Sequence, residues 1–321
     1  MNRQFKKYLL LLLCSALFFP LFLSAQTVRY TKAYGRHYVY LPDVARYYGM
    51  KLYRKSRGCE LRSRYSRIIF QYQKRSGWIN GVKVNFMRAP FVSSGIPFMS
   101  EHDFLLLLDP LIRRKAVPAR KVTTVMIDPG HGGQDKGASG RLYHEKDIVL
   151  KIALRLRAIL KGKGYAVIMT RTGDTFPSLK DRTNLCNSRK PDIFISIHCN
   201  SASSKTASGI ETFCMTPAGE ASSSSSVPEK ASQKGNRNDK ANARLAYEIQ
   251  KSVVRYTGAA DRGIKYARFF VLKNINCPGV LIETGFLSNH SEERKLGTEY
   301  YQNAVAKGIA NAIANFKAVV R

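Results

Sequence analysis

From residue 122 onward, short apolar runs alternate with amphipathic stretches at helical spacing, and this alternation constrains the fold more than any other feature of the chain. Val122–Ile127, Tyr165–Thr170, Asp192–His198, Gly209–Met215 and Val280–Thr284 read as strands. Between them, Ile148, Ile152, Leu156 and Ile159 recur on one face of a helix from Glu145 to Lys161, ended by Gly162 and Gly164. Asp181–Arg189 and Ala243–Tyr256 are further helices. Tyr300–Val319 closes the chain with Val305, Ile309, Ile313 and Phe316 on one side. Near-continuous apolar strands separated by amphipathic helices predict an α/β fold, a mostly parallel sheet with helices on both faces. One stretch breaks the rhythm. Residues 216–240 contain five serines in a row, Ser222 to Ser226, are poor in apolar residues, and read as a flexible loop.

The preceding segment has a different grain. Tyr38–Ala45 reads as a strand followed by a helix opening at Pro42-Asp43, and Arg67–Gln73 as a strand. Trp78–Val84 has the form of a hairpin turning at Asn80-Gly81, and Pro97–Leu108 passes from strand to helix. A small α+β domain is expected over residues 26–118. It is joined by the basic, proline-containing stretch Arg113–Pro118 to the α/β domain of residues 119–321.

The first 25 residues read as an address. Arg3, Lys6 and Lys7 precede the apolar run Tyr8–Leu23, and Ser24-Ala25 supplies a small residue for cleavage. Export to the periplasm, or to the cell wall and exterior, is expected after cleavage near Ala25, an uncleaved anchor being the alternative. The chain of 321 residues carries 53 Lys and Arg against 22 Asp and Glu, a net charge of +31. Residues 26–121 hold 20 basic and 5 acidic residues, so about half of that charge lies in under a third of the chain. Such an excess predicts an anionic partner, and export favours envelope polymers or lipids over nucleic acid. Of six cysteines, Cys14 lies in the address. The five others are an odd number with no metal-finger spacing.

In an open parallel sheet, ligands bind beyond the carboxyl ends of the strands. His131 follows the first strand of the α/β domain within a glycine-rich turn, His198 ends "DIFISIH", Glu283 ends "GVLIE", and Glu145 opens the following helix. Two histidines and a carboxylate with an open fourth position make a catalytic zinc site, and the remaining carboxylate is then the natural general base. Each residue also has a plainer reading. Glu145 suits a helix N-terminus with His144 beside it as a rival ligand, and Glu283 suits a buried ion pair. Cys199 follows His198 in the strand and so faces the other way.

The motifs "VMIDPGHGGQDKGASG", "HEKDIVLKIALRLRAIL", "PDIFISIHCNSA", "GIETF" and "PGVLIETGFLSNHSEERKL" occur in order across residues 123–319. By them the segment resembles the zinc-dependent N-acetylmuramoyl-L-alanine amidases of the amidase-3 type. The resemblance implies one Zn2+ held by His131, Glu145 and His198, with Glu283 as the catalytic carboxylate and Asn200 and Arg182 near the cleft. It implies peptidoglycan as substrate, cut at the amide between N-acetylmuramic acid and L-alanine. Cys199, where a small residue is usual, and Cys186 depart from the family pattern without removing a ligand. "INGVKVNF" and "APFVSSGIPFMS" more weakly resemble the small N-terminal domain of copper amine oxidases; the dense basic charge of this segment suits binding to an anionic glycan or lipid surface, a spacer with a solvated basic face being the alternative. The competing classes are a non-catalytic envelope-binding protein and a zinc peptidase acting within the stem peptide.

Overall fold

The computed structural model describes residues 27–321; the expected export signal and Cys14 lie outside them. The strands are β1 (Tyr30–Ala33), β2 (Arg36–Tyr40), β3 (Lys51–Lys55), β4 (Gly58–Arg62), β5 (Arg67–Gln71), β6 (Ser76–Ile79), β7 (Val82–Asn85), β8 (Phe91–Ser93), β9 (Ile96–Ser100), β10 (Thr124–Pro129), β11 (Ala166–Met169), β12 (Ile193–Asn200), β13 (Ile210–Met215), β14 (Asp261–Ala267) and β15 (Gly279–Phe286). The α-helices are α1 (Leu41–Tyr47), α2 (Asp109–Ile112), α3 (Glu145–Gly162), α4 (Leu179–Arg189), α5 (Asp239–Thr257), α6 (Phe270–Lys273), α7 (His290–Leu296) and α8 (Glu299–Val320).

Strands β11, β10, β12 and β15 are parallel neighbours, as the apolar runs predict. Strand β13 breaks the pattern by running antiparallel to β15, and β14 then pairs parallel to β13. Strand direction has no signature in an apolar run, so the reversal was not legible in the sequence. Its consequence is chemical, because it sets Glu211 opposite Glu283.

The sheet does not stop at β14. It continues through an antiparallel meander of β7, β6, β5, β4 and β3 to give eleven strands in one sheet. The join is a parallel pairing of Val84 with Ile264. Asp261 accepts a hydrogen bond from the Lys83 amide at 2.8 Å, and Asn85 donates to the Ile264 carbonyl at 3.0 Å. Gly263 permits this approach. Its φ is +89°, and a Cβ there would stand 2.8 Å from the Lys83 carbonyl oxygen. The remaining N-terminal strands form a separate four-stranded sheet in the order β1-β2-β9-β8. The hairpin between β6 and β7 turns as read, with φ of 50° at Asn80 and 83° at Gly81, the pair of positive values that a two-residue turn of this hand requires.

The inward side of the meander buries Leu61, Ile68, Phe70, Ile79 and Val84 completely or nearly so. These side chains join Val125, Ile127, Leu245 and Ile309 in one hydrophobic core spanning both halves of the chain. A second, smaller core of Met126, Phe194, Met215 and Leu272 lies on the other side of the sheet. The composition of residues 216–240 suggests a free excursion, yet polar contacts pin it. Arg36 donates to the Gly219 carbonyl at 3.1 Å and Arg268 to the Glu220 carbonyl at 2.7 Å. Buried Glu220 lies 3.0 Å from Arg88 and 2.8 Å from His102, both from the N-terminal half.

Candidate active site

Strand β10 ends at Pro129, and the chain turns sharply through Gly130 into a left-handed His131, whose φ is 56°. A Cβ at Gly130 would stand 2.3 Å from Cε1 of His198, so only glycine lets this loop lie against the imidazole. The His131 ring is held from behind, its Nδ1 lying 2.7 Å from Asp135 Oδ2. Its Nε2 faces Glu145 Oε1 at 3.2 Å. His198, near the end of β12, brings Nδ1 to 2.9 Å from the same oxygen.

Glu145 is the first residue of α3 and is buried. Its carboxylate accepts hydrogen bonds from the amides of Ala138 at 2.8 Å and Cys199 at 3.0 Å. Burial pushes its pKa up, but hydrogen bonds with His131 and His198 outweigh burial and hold the carboxyl below the usual range. His144, the rival ligand, is the residue before the first turn of the helix and turns its Nδ1 to Ser139 Oγ at 3.0 Å, away from the cluster.

Glu283 sits on β15 in register with His198 on one side and Glu211 on the other. Its Oε2 is shielded from solvent and has no hydrogen-bond partner among the described residues. Burial, and then the charges of Glu145 and Glu211, raise its pKa well above the usual carboxyl value. A cleft of about 420 Å³ opens above these residues. Phe176, Leu179, Phe269 and Phe270 form its apolar wall, and His131, His198 and Glu283 its polar floor.

Of the two residues expected near the cleft, Arg182 lines it and Asn200 lies outside its lining. Arg182, on α4, is buried and donates to Asp128 Oδ1, the Pro129 carbonyl and the His131 carbonyl, each at 2.7 Å. Asn200 donates to Glu211 Oε1 at 2.8 Å. Glu211 also accepts from Arg262 at 2.7 Å and is paired with Lys265. Cys199 points to the opposite side of β12, where its sulfur lies 3.3 Å from Thr284 Oγ1. The sequence reading missed Asp128, Asp135 and Glu211. A carboxylate four residues beyond His131 in a tight loop was a usable signal for Asp135. Glu211 needed knowledge that β13 is reversed.

The donor set fits a metal ion. One ligand atom from each of His131, Glu145 and His198 lies within 4.8 Å of the others. Two imidazoles and a carboxylate are the donors of catalytic zinc centres, and the Asp135 carboxylate behind His131 is the partner that such histidines usually have.

Residues 125–315 match the family described as N-acetylmuramoyl-L-alanine amidase. The chain is 36% identical over 193 residues to the N-acetylmuramoyl-L-alanine amidase LytC of Bacillus subtilis, covering 60% of this chain and 35% of that protein. It is 35% identical over 220 residues to the amidase AmiA of Salmonella typhimurium, covering 60% of this chain and 75% of that one. It thus spans about a third of the length of LytC and three quarters of AmiA. Among solved structures, the catalytic domain of CwlV, an N-acetylmuramoyl-L-alanine amidase from Bacillus (Paenibacillus) polymyxa var. colistinus, aligns with a TM-score of 0.52 at 37% identity, over 62% of this chain and 99% of that one. An N-acetylmuramoyl-L-alanine amidase from Clostridium difficile 630 aligns with a TM-score of 0.52 at 38% identity, over 61% of this chain and 97% of that one. The family match extends over more than half of the residues and takes in His131, Glu145, His198 and Glu283; the chain belongs to the N-acetylmuramoyl-L-alanine amidase family.

Proposed function

We propose that the protein is a peptidoglycan hydrolase that cleaves the amide between the lactyl group of N-acetylmuramic acid and L-alanine of the stem peptide. In this reading His131, Glu145 and His198 hold one zinc ion, and Glu283 is the general base and acid. The observation that carries it is the set of three ligand atoms within 4.8 Å beside a carboxylate with an unpartnered oxygen.

Bound zinc supplies a water acidified from a pKa of 15.7 to roughly 7 and a Lewis acid for the scissile carbonyl. The protein supplies proton handling and orientation. Oε2 of Glu283 takes a proton from the attacking water and returns it to the departing amine nitrogen, which is a poor leaving group unless protonated. The apolar surroundings that raise the pKa of Glu283 make it a strong enough base for the first step and an effective acid for the second. Asp135 fixes the orientation of the His131 ring, and Arg182 fixes the backbone that carries it. The aromatic wall of the cleft packs against the substrate and keeps bulk water from the reacting amide.

Export near Ala25 places this activity in the periplasm or at the cell wall. The basic segment of residues 26–118 holds the enzyme on anionic envelope polymers or lipids.

Product analysis on purified peptidoglycan tests the reading. The wild-type chain is expected to release stem peptides with a free L-alanine amine, and a chelator to abolish release. Glu283→Gln is expected to keep zinc and lose turnover. Fragments cut within the stem peptide instead would identify a peptidase, and full turnover by Glu283→Gln would remove the assigned role.

A further inference from the structure

We propose that the outward face of the β3–β7 meander is a second binding surface, which holds the glycan strand of the same polymer that the active site cuts. The inference rests on the amidase reading above, and its basis is the register of one sheet. Cross-strand partners run Tyr53, Glu60, Ile69, Trp78 and Lys83 across the meander. The join of Val84 with Ile264 sets Lys83 beside Gly263. The row then continues through Glu211 and Glu283 to His198. Side chains in one row share a face, so the meander's outward residues and the catalytic residues lie on the same side of one uninterrupted sheet.

Along that row, Trp78 stands four strands from Glu283 and Tyr53 seven, about 19 and 34 Å at the usual strand spacing. A sheet turns by roughly 20–25° from strand to strand, so a polymer following the row winds as it leaves the cleft. A single short substrate cannot span this distance, and a polysaccharide can.

The chemistry of the face fits a sugar polymer bearing carboxylates. Tyr53 is 44% exposed and Trp78 partly exposed, giving flat ring faces for sugars, with partly exposed Ile69 between them. The guanidinium of Arg62 lies 5.4 Å from the Tyr53 ring centre, and that of Arg64 lies 5.6 Å from the ring of Tyr65, itself 83% exposed. Lys51, Lys55, Arg62, Arg64 and Arg67 crowd the same strands and their connecting turn. The acidic residue among them, Glu60, is buried beneath Lys55, Arg62 and Arg67, which leaves a strong cationic surplus. Rings interleaved with cations suit a glycan with pendant carboxylates better than a phospholipid surface, which offers charge without rings to stack.

The test uses the full chain carrying Glu283→Gln, so that nothing is cut. Retention on purified sacculi is measured against rising salt, for this parent and for the further variant Tyr53→Ala, Lys51→Gln, Arg64→Gln. Arg62 and Arg67 stay intact, because Glu60 depends on them. The proposal expects salt-sensitive retention by the parent and roughly tenfold weaker retention by the variant near 0.15 M salt, with an unchanged circular dichroism spectrum. It also expects Tyr53→Ala alone to weaken binding to sacculi and not to vesicles of anionic phospholipid. Equal retention of parent and variant on sacculi overturns the proposal. So does vesicle binding that matches sacculus binding and depends equally on Tyr53, which would assign the face to membrane. Failure of the wild-type chain to release stem peptides, with Tyr53-dependent retention intact, refutes the amidase reading alone.

Discussion

Arg182 and Asp128 form a buried ion pair, Nη1 to Oδ1 at 2.7 Å, beneath the loop that presents His131. Asp128 also accepts hydrogen bonds from Thr170 at 2.6 Å and Ser196 at 2.8 Å, so the pair fastens β10 to its neighbours on both sides. Burial pushes the Asp128 carboxyl up, but the Arg182 charge and these hydrogen bonds outweigh it and keep the group ionised. The left-handed backbone at His131 is thus fixed from below by one guanidinium fork.

Removing that fork leaves Asp128 as an uncompensated buried charge. Breaking such a pair from one side costs about 3–5 kcal/mol. Arg182→Ala is therefore expected to lower the urea midpoint strongly and to lose metal through displacement of His131. Arg182→Lys is expected to fail similarly, because one ammonium cannot serve Asp128, Pro129 and His131 at once. Urea titration and elemental analysis of both variants check this. A wild-type midpoint in Arg182→Lys would show that charge alone suffices.

Asp135 presents a cleaner separation of metal affinity from stability. Its side chain is 41% exposed, and its Oδ2 contacts Nδ1 of His131. Losing the carboxylate behind a metal-binding histidine typically costs 10–100-fold in affinity. Asp135→Asn is expected to release zinc at correspondingly lower chelator concentration while its metal-free form unfolds within about 0.5 kcal/mol of wild type. Competition with a fluorescent chelator measures the first, and urea titration of the metal-free protein the second.

The fold was legible wherever a local pattern carried it. The periodicity of Ile148, Ile152 and Leu156 marks α3, and all three are fully buried. The alternation of His198 and Cys199 correctly separates a cleft-facing from an inward-facing side chain. What stayed hidden is non-local. The seam between Val84 and Ile264 joins segments about 180 residues apart through a single backbone pairing, and no short pattern encodes it. Composition alone likewise gave no account of residues 216–240, because their order comes from arginines elsewhere in the chain reaching their backbone carbonyls. Motif position put Arg182 near the cleft, which it lines, without showing that its guanidinium serves Asp128 and the carbonyls of Pro129 and His131.

Cys186 and Cys277 bring their sulfur atoms to 3.6 Å, while Cys59, Cys199 and Cys214 are buried as free thiols. The odd count in the sequence therefore resolves into one neighbouring pair and three thiols held apart from it. A thiol oxidant such as diamide is expected to link Cys186 to Cys277, tying α4 to the loop before β15. Peptide mapping under non-reducing conditions should find one cross-linked pair, and the linked protein should gain about 2–4 kcal/mol over its Cys186→Ala variant. Recovery of both residues as alkylated thiols after oxidation would rule out the link.

Glu60 anchors the cationic face and gives it a pH signature. Its side chain is only 2% exposed and is met by Arg67 at 2.8 Å, Arg62 at 2.7 Å and Lys55 at 3.4 Å. The hydrogen bond from Arg67 leads, burial opposes it, and Arg62 adds to it, bringing the carboxyl from 4.5 down to about 2. A folded-state value below the unfolded one means that this stabilisation is fully present above the ordinary carboxylate range. It is lost as pH falls from about 4.5 through 2. Wild type is therefore expected to lose stability more steeply than Glu60→Gln across that window, although Glu60→Gln starts less stable at pH 7 because its three cations then face one another. Urea midpoints at intervals between pH 7 and pH 2 measure both slopes, and parallel declines for the two proteins would show that the three cations contribute nothing through Glu60.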